Sequence, residues 1–97
     1  MEIIKKQEAG TLTLTVNGDV DTLTAAQLEG AIETDGLSEL VFDLSNVAYV
    51  SSAGLRVFLL AHKKMVQAGG KMTIAHAQEA VRHVFALTGF DKILTIV

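Results

Sequence analysis

Val50–Leu55 has the sequence Val-Ser-Ser-Ala-Gly-Leu, and the rest of the chain can be placed outward from it. An apolar run at Leu40–Leu44 precedes this stretch, and the longest helical pattern of the chain follows it. Ser51 or Ser52 can cap that helix, because a serine hydroxyl accepts a hydrogen bond from a free N–H of the first turn. The same position suits a phosphate, since the N–H groups and the positive end of the helix dipole face it. The local sequence alone leaves both interpretations open.

The composition indicates one small domain without cysteine chemistry. The chain has 97 residues, of which 49% are hydrophobic, and it has no proline, cysteine or tryptophan. This length predicts a single domain over residues 1–97. Without cysteine, disulfides, thiolate metal ligands and a catalytic thiol are excluded. The net charge of −3 and the lack of a basic cluster argue against nucleic-acid binding.

The hydropathy pattern predicts a cytoplasmic protein. Met1–Lys6 has no long apolar stretch after its charges, so it does not resemble a signal peptide. No run of about 18 apolar residues is present, so no membrane-spanning segment is expected. The lack of cysteine is consistent with this location.

Apolar alternation predicts the strands. Thr11–Val16 alternates threonine with leucine and valine, which indicates a half-buried strand paired with Ile3–Glu8 in an antiparallel hairpin turned at Ala9–Gly10. Leu40–Leu44 is nearly all apolar, which predicts a strand covered on both faces. Two further strands are predicted at Lys71–His76 and Ile93–Val97.

The predicted helices carry start and stop signals. Thr24 and Gln27 are spaced as in a capping box, and Leu23 and Leu28 occupy the positions of a hydrophobic staple. A long helix is predicted over Ser52–Ala68, ended by Gly69–Gly70, and a shorter one over Gln78–Leu87.

The long helix is predicted to be amphipathic. At 100° per residue its core face consists of Leu55, Phe58, Leu59, Met65 and Val66. Its opposite, polar face consists of Arg56, Lys63, Lys64 and Gln67, with Leu60 inside that face and Val57 at its edge. An exposed Leu60 near the serines would suit a docking patch, although scattered surface leucines are common.

This order of elements predicts an α/β (α+β-like) fold. A hairpin comes first, and helices then alternate with strands, which predicts a mixed sheet of four to five strands with helices mainly on one face. The strand–helix–strand unit around Ser52 should be parallel and right-handed.

Four segments of the chain together resemble a known family. They are Gly18–Asp21 before a helix, Asp43–Leu55, the turn Gly69–Lys71 and Val84–Phe90. In this order and spacing they resemble STAS domains, the sulfate-transporter and anti-sigma-factor-antagonist family. The resemblance covers nearly the whole chain and implies the STAS fold.

The resemblance implies a phosphorylated serine. The family's commonest motif places an aspartate before the phosphoacceptor, which aligns Ser52 with the acceptor and leaves Ser51 as the fallback. Ser51 then stands where the aspartate usually is, and Ala53 replaces a second serine. The missing aspartate removes a negative charge from this loop, which would alter recognition by a kinase or indicate an unphosphorylated relative.

The resemblance also implies a partner-binding surface around the start of the long helix. Asp21 matches an acidic position of the family, although aspartate is also an ordinary turn residue. The residues predicted to contact a partner are Asp19, Asp21, Ser51, Ala53, Gly54, Arg56, Val57 and Leu60.

The remaining polar residues give no support to a metal or catalytic site. His62, His76 and His83 lack the spacing of a helical metal site, and His62 is expected to be partly buried and hydrogen-bonded. A nucleophile elbow requires glycine two residues before and after the serine, and Val50 fails this test for Ser52. No phosphate-binding or dinucleotide glycine motif is present, so no cofactor is expected.

The resemblance therefore implies a binding switch and not an enzyme. Such a protein, when unphosphorylated, would bind an anti-sigma factor with serine kinase activity and release a sigma factor; a phosphatase would reset it. No membrane, nucleic-acid or metal partner is expected. The alternative is a STAS interaction module of a signalling or transport-associated complex that is not phosphorylated. A small hydrolase using Ser52 is a third hypothesis.

Overall fold

A computed structural model describes residues 1–97 and contains one five-stranded sheet with its strands in the order of the chain. β1 and β2 are antiparallel, and every later neighbouring pair is parallel. The mixed sheet predicted from the sequence is confirmed. The strands are β1 Glu2–Glu8, β2 Thr11–Asn17, β3 Glu39–Asn46, β4 Lys71–Ala75 and β5 Thr95–Ile96. The α-helices are α1 Ala25–Ala31, α2 Ser52–Gln67 and α3 Glu79–Leu87, and a 3₁₀ turn spans Phe90–Lys92.

The amino-terminal hairpin forms where the alternating pattern places it. Ala9 and Gly10 make the turn, both with positive φ. Leu12, Leu14 and Val16 of β2 point into the core and are buried, while the threonines between them are half-exposed. The side-chain period of two explains this division, since successive strand residues face opposite sides of the sheet.

The prediction that β3 is covered on both faces is wrong. Leu40, Phe42 and Leu44 are fully buried, whereas Val41 and Asp43 on the other face are only partly so. The helices pack on the face that carries Leu40, so the opposite face stays in contact with solvent. The apolar run Leu40–Leu44 therefore belongs to a strand that is covered on one face only, and Val41 is the one apolar residue of this run on the outer face.

Three aromatic rings connect the helices to that covered face. Phe42 of β3 packs edge-on against Phe58 of α2, with ring centroids 5.0 Å apart. Phe58 in turn meets Phe85 of α3 with centroids 5.8 Å apart. Such edge-to-face pairs stabilise a core beyond their buried area. The core is thus continuous from β3 through α2 to α3.

The core face of α2 is rotated from the one predicted. Leu55, Phe58 and Met65 are buried as expected, but Val66 is exposed and Val57 keeps only 3% of its surface. The helix contacts α1 as well as the sheet. Its buried arc is therefore turned toward Val57 and away from Val66.

The carboxyl-terminal third is less regular than its pattern suggested. β4 ends at Ala75, because His76 adopts a left-handed conformation with φ of 60°. The last strand is confined to Thr95–Ile96, and the 3₁₀ turn occupies the residues before it. No helix combines the length and hydropathy needed to cross a membrane.

Candidate functional site

Two loops at the carboxyl ends of β2 and β3 are joined by backbone hydrogen bonds. The N–H of Val20 donates to the carbonyl of Tyr49 (3.0 Å), and the N–H of Ser51 donates to the carbonyl of Val20 (2.8 Å). Val20 and Val50 thereby form an isolated parallel bridge. This short ladder holds the starts of α1 and α2 side by side.

Gly54 allows α2 to approach that ladder closely. A Cβ atom at position 54 would lie 2.7 Å from Cγ1 of Val20 and 2.8 Å from its carbonyl oxygen. Contacts this short are repulsive, and one of them involves the backbone, which cannot turn away. Gly54 is also buried, so its role is to bring the helix against the loop and not to contact a partner.

The two serines at the start of α2 have different roles. Ser51 is the N-cap, and its Oγ accepts a hydrogen bond from the N–H of Gly54 (3.2 Å). Ser52 is the first residue of the helix and its side chain is exposed. The capping interpretation therefore belongs to Ser51, and the hydroxyl of Ser52 remains available to a partner or a modifying enzyme.

Thr24 directly precedes α1 but makes no side-chain cap bond to it. The capping residue is Asp21, which caps the turn Thr22–Thr24 leading into the helix and accepts the N–H of Ala25 on its carbonyl (2.9 Å). Oδ1 of Asp21 accepts from the N–H groups of Thr24 (3.0 Å) and Leu23 (2.9 Å), and Oγ1 of Thr24 accepts from the N–H of Asp21 (2.9 Å). These two residues form the reciprocal pair of a capping box. The predicted pair of Thr24 with Gln27 is wrong, because Gln27 donates to the carbonyl of Met1 instead (3.0 Å).

The same bonds control the charge of Asp21. The hydrogen bond from the backbone of Thr24, followed by those from the Thr24 hydroxyl and the Leu23 N–H, holds the pKa of the Asp21 carboxyl below its usual range. Hydrogen bonds to a carboxylate favour its ionised form. Asp21 therefore contributes a fixed negative charge beside the serine loop, while neighbouring Asp19 is exposed.

Apolar side chains at these loops are exposed to solvent. Leu23 is 89% exposed, Tyr49 53% and Leu60 37%. Neither Leu23 nor Tyr49 was predicted from the sequence to belong to this surface: the pattern assigned Leu23 to a staple and gave no role to Tyr49. The signals available were a leucine two residues after the Asp21 cap and the only tyrosine of the chain, two residues before Ser51.

The predicted partner-binding residues divide into accessible and inaccessible ones. Asp19, Arg56 and Leu60 are exposed, as is the predicted acceptor Ser52, while Asp21, Ser51 and Ala53 are half-buried and Gly54 is buried. Val57 belongs to the hydrophobic core, so its assignment to the partner surface is wrong. Val57 is buried because the buried arc of α2 faces α1 as well as the sheet, which turns this arc toward Val57.

A third loop reaches the same edge of the sheet. Nε2 of Gln78, the N-cap residue of α3, donates to the carbonyl of Ser45 at the end of β3 (2.9 Å).

His62 is partly buried as expected, but its Nδ1 is buried without a hydrogen-bond partner, so the predicted hydrogen bond there is absent.

No concave site surrounds the serines. The three surface depressions lie along α3 and on β1 and β2, and none is lined by Ser51 or Ser52. An exposed helix start flanked by apolar and charged side chains suits recognition of another protein surface. The fold and this site define a small α/β protein-binding domain.

Comparison with known proteins assigns the family. The STAS domain model matches residues 2–97, and the chain belongs to the STAS domain family. It is similar to the Bordetella bronchiseptica protein BtrV, named as a candidate anti-sigma factor antagonist (35% identical, covering 99% of this chain and 85% of that protein). It is also similar to the anti-sigma-F factor antagonist RsfB of Mycobacterium tuberculosis (33% identical, covering 86% and 70%).

A solved structure agrees with this assignment. The crystal structure of an anti-sigma factor antagonist from Mycobacterium paratuberculosis superposes with a TM-score of 0.85 at 30% identity, covering 98% of this chain and 83% of that one. The predicted family and fold are therefore confirmed. As a STAS domain related to anti-sigma factor antagonists, the chain is a binding protein and not an enzyme.

Proposed function

We propose that this chain is an anti-sigma factor antagonist of the cytoplasm whose binding to its partner is switched off by phosphorylation of Ser52. Unmodified, it binds an anti-sigma factor and so frees a sigma factor to promote transcription. The proposal rests on the different environments of the two serines: Ser51 caps the helix, and Ser52 beside it is exposed.

The docking surface consists of exposed residues from both joined loops and the outer face of α2. Its members are Asp19, Leu23, Tyr49, Ser52, Arg56 and Leu60. Apolar side chains removed from water supply the free energy of association, at about 25 cal/mol per Å². The charged residues around them provide specificity and steer the encounter.

The partner's kinase activity modifies Ser52. Its Oγ attacks the γ-phosphorus of ATP, ADP leaves, the hydroxyl proton is released, and a phosphoserine results. The modification adds about −1.5 to −2 charges and three strong acceptor oxygens. Inside an interface that charge must be desolvated, and Asp19 and the ionised Asp21 beside it add like charge. Binding is lost while the fold stays intact, and a separate phosphatase restores the binding form.

Two substitutions test the role of Ser52 in binding. The probe is the host's anti-sigma factor, recovered on immobilised wild-type chain and then purified. Ser52→Asp is expected to weaken its binding at least tenfold, about 1.4 kcal/mol or more. Ser45→Asp adds the same charge to an exposed serine near the end of β3 and serves as the control. Equal affinities of wild type and Ser52→Asp would contradict the switch.

A second pair tests the apolar contacts. Leu23→Ala is expected to weaken binding about tenfold, because the truncation removes apolar surface whose burial against the partner contributes about 1–2 kcal/mol. Leu87→Ala, which truncates another highly exposed leucine at the end of α3 (73% exposed, against 89% for Leu23), is expected to leave binding unchanged. If both variants behave alike, the surface has been placed on the wrong end of the molecule.

One observation favours an alternative function. Ser51 stands where the resemblance expects an aspartate, and its hydroxyl serves the helix cap. In a STAS interaction module that is never phosphorylated, the serine pair would need only this capping role. Intact-mass measurement with fragment mapping on the native protein, from growing and starved cells, separates the two: condition-dependent phosphate on Ser52 supports the switch, and its absence throughout supports the module.

A further inference from the structure

The charges of α2 are all positive and none of them is paired. Between Ser52 and Gln67 the helix has no aspartate or glutamate, and its exposed face carries Arg56, Lys63 and Lys64. The ion pairs of the chain lie elsewhere, between Lys5 and Glu33, Lys6 and Glu8, and Lys71 and Glu39. The guanidinium of Arg56 is therefore available to a negative group.

Arg56 is placed one helical turn beyond Ser52. Four residues correspond to about 6 Å along the axis and about 40° around it, so the two side chains are neighbours on one helix face. Helical side chains lean toward the amino terminus, which directs Arg56 back over the turn that begins with Ser52. Lys63 lies on the same face, but about 16 Å along the axis from Ser52.

The chemistry of Arg56 suits a phosphate attached to Ser52. A guanidinium donates two parallel hydrogen bonds to phosphate oxygens, which a lysine ammonium cannot reproduce. No carboxylate of the chain is paired with Arg56 in the structure, and Oδ1 of Asp21 already accepts from Thr24 and Leu23.

We infer that Arg56 is a positioning residue that binds the phosphate of phosphorylated Ser52 within the same chain. The inference rests on the proposed function and adds a mechanism to it. In the unmodified protein Arg56 is free to pair with a carboxylate of the partner. After phosphorylation Arg56 binds the phosphate instead. The partner then faces a new negative charge and no longer has Arg56 to pair with.

The test places phosphoserine at position 52 of the full chain during translation and requires no kinase. The ³¹P titration midpoint of the phosphate is expected to rise by about 0.2–0.7 pH units in Arg56→Gln, since loss of an exposed cation destabilises the dianion. Arg56→Lys is expected to recover part of this shift. Lys63→Gln, which removes the same charge from the same face, is expected to stay close to the wild-type midpoint.

Equal midpoints for wild type and Arg56→Gln would overturn the inference, as would a Lys63→Gln shift as large as that of Arg56→Gln. The Nε–Hε resonance of Arg56 gives a second measurement, and it is expected to move on phosphorylation in the wild type. Because the phosphate is introduced without the kinase, the absence of phosphate in the host would contradict the proposed function and leave this result standing.

Discussion

The starts of α1 and α2 lie side by side, yet they are built in different ways. α1 begins with an ionised cap, Asp21, which Thr24 reciprocates. α2 begins with a neutral cap, Ser51, and has no acidic residue in its first turn. The first start already carries a negative charge, while the positive end of the second remains uncompensated. Two adjacent helix starts can thus serve different purposes: one holds a loop in place, and under the proposed function the other receives a phosphate.

The largest expected effect comes from separating the two starts. Gly54→Ala places a Cβ against the side chain and carbonyl of Val20, and we expect a loss of about 2–3 kcal/mol in the free energy of unfolding. Gly30→Ala is the control: nothing lies near that position in α1, so a gain of about 0.5 kcal/mol is expected. Urea denaturation measures the free energy of unfolding of both variants. An unchanged value for Gly54→Ala would show that the fold does not require the close contact between α2 and the Val20 loop.

Removing the neutral cap has a smaller effect. Ser51→Ala leaves the N–H of Gly54 without its acceptor and is expected to cost about 1 kcal/mol. Ser52→Ala removes an exposed hydroxyl and is expected to change stability by less than about 0.5 kcal/mol. The two variants differ only in position, so thermal unfolding of the pair directly tests which serine is the cap. If Ser52→Ala lost more stability than Ser51→Ala, Ser52 and not Ser51 would be the cap.

The charged cap predicts a pH dependence. Because the folded pKa of Asp21 is depressed, its contribution to stability is complete above the ordinary aspartate pKa and is lost as the pH falls through the depressed value. Asp21→Asn is expected to flatten the acid side of the stability profile, and Asp35→Asn, which alters a carboxyl with no such bonds, to leave its shape unchanged. Identical profiles for wild type and Asp21→Asn would remove the distinction between the two caps.

The regular elements could be predicted because their signals are local. The alternation in Thr11–Val16 specifies which side chains face the core, and the glycines after Ala68 end the long helix. The place of the serines between a strand and a helix was also predictable, and β3 and α2 do flank them. The family resemblance then named the candidate acceptor, Ser52.

The cap of α1 could not be chosen from the pattern. Asp21 with Thr24 and Thr24 with Gln27 are both spaced as capping boxes. The backbone bonds of Val20 to Tyr49 and Ser51 hold the chain at the point where α1 must begin, which favours the first pair. Leu23 then lies inside the capping turn and faces solvent, so it cannot act as a staple.

By itself, the sequence determined the order of the strands and helices, the burial of β2's leucines and the location of a serine-rich helix start. These follow from periodicities of two and 3.6 residues that act within single elements. Tertiary structure decided that Val57 is buried and Val66 exposed, that Ser51 rather than Ser52 is the cap, and that Leu23 and Tyr49 face solvent. These outcomes depend on contacts between elements distant in sequence, of α1 with α2 and of Val20 with the serine loop, which no local pattern encodes.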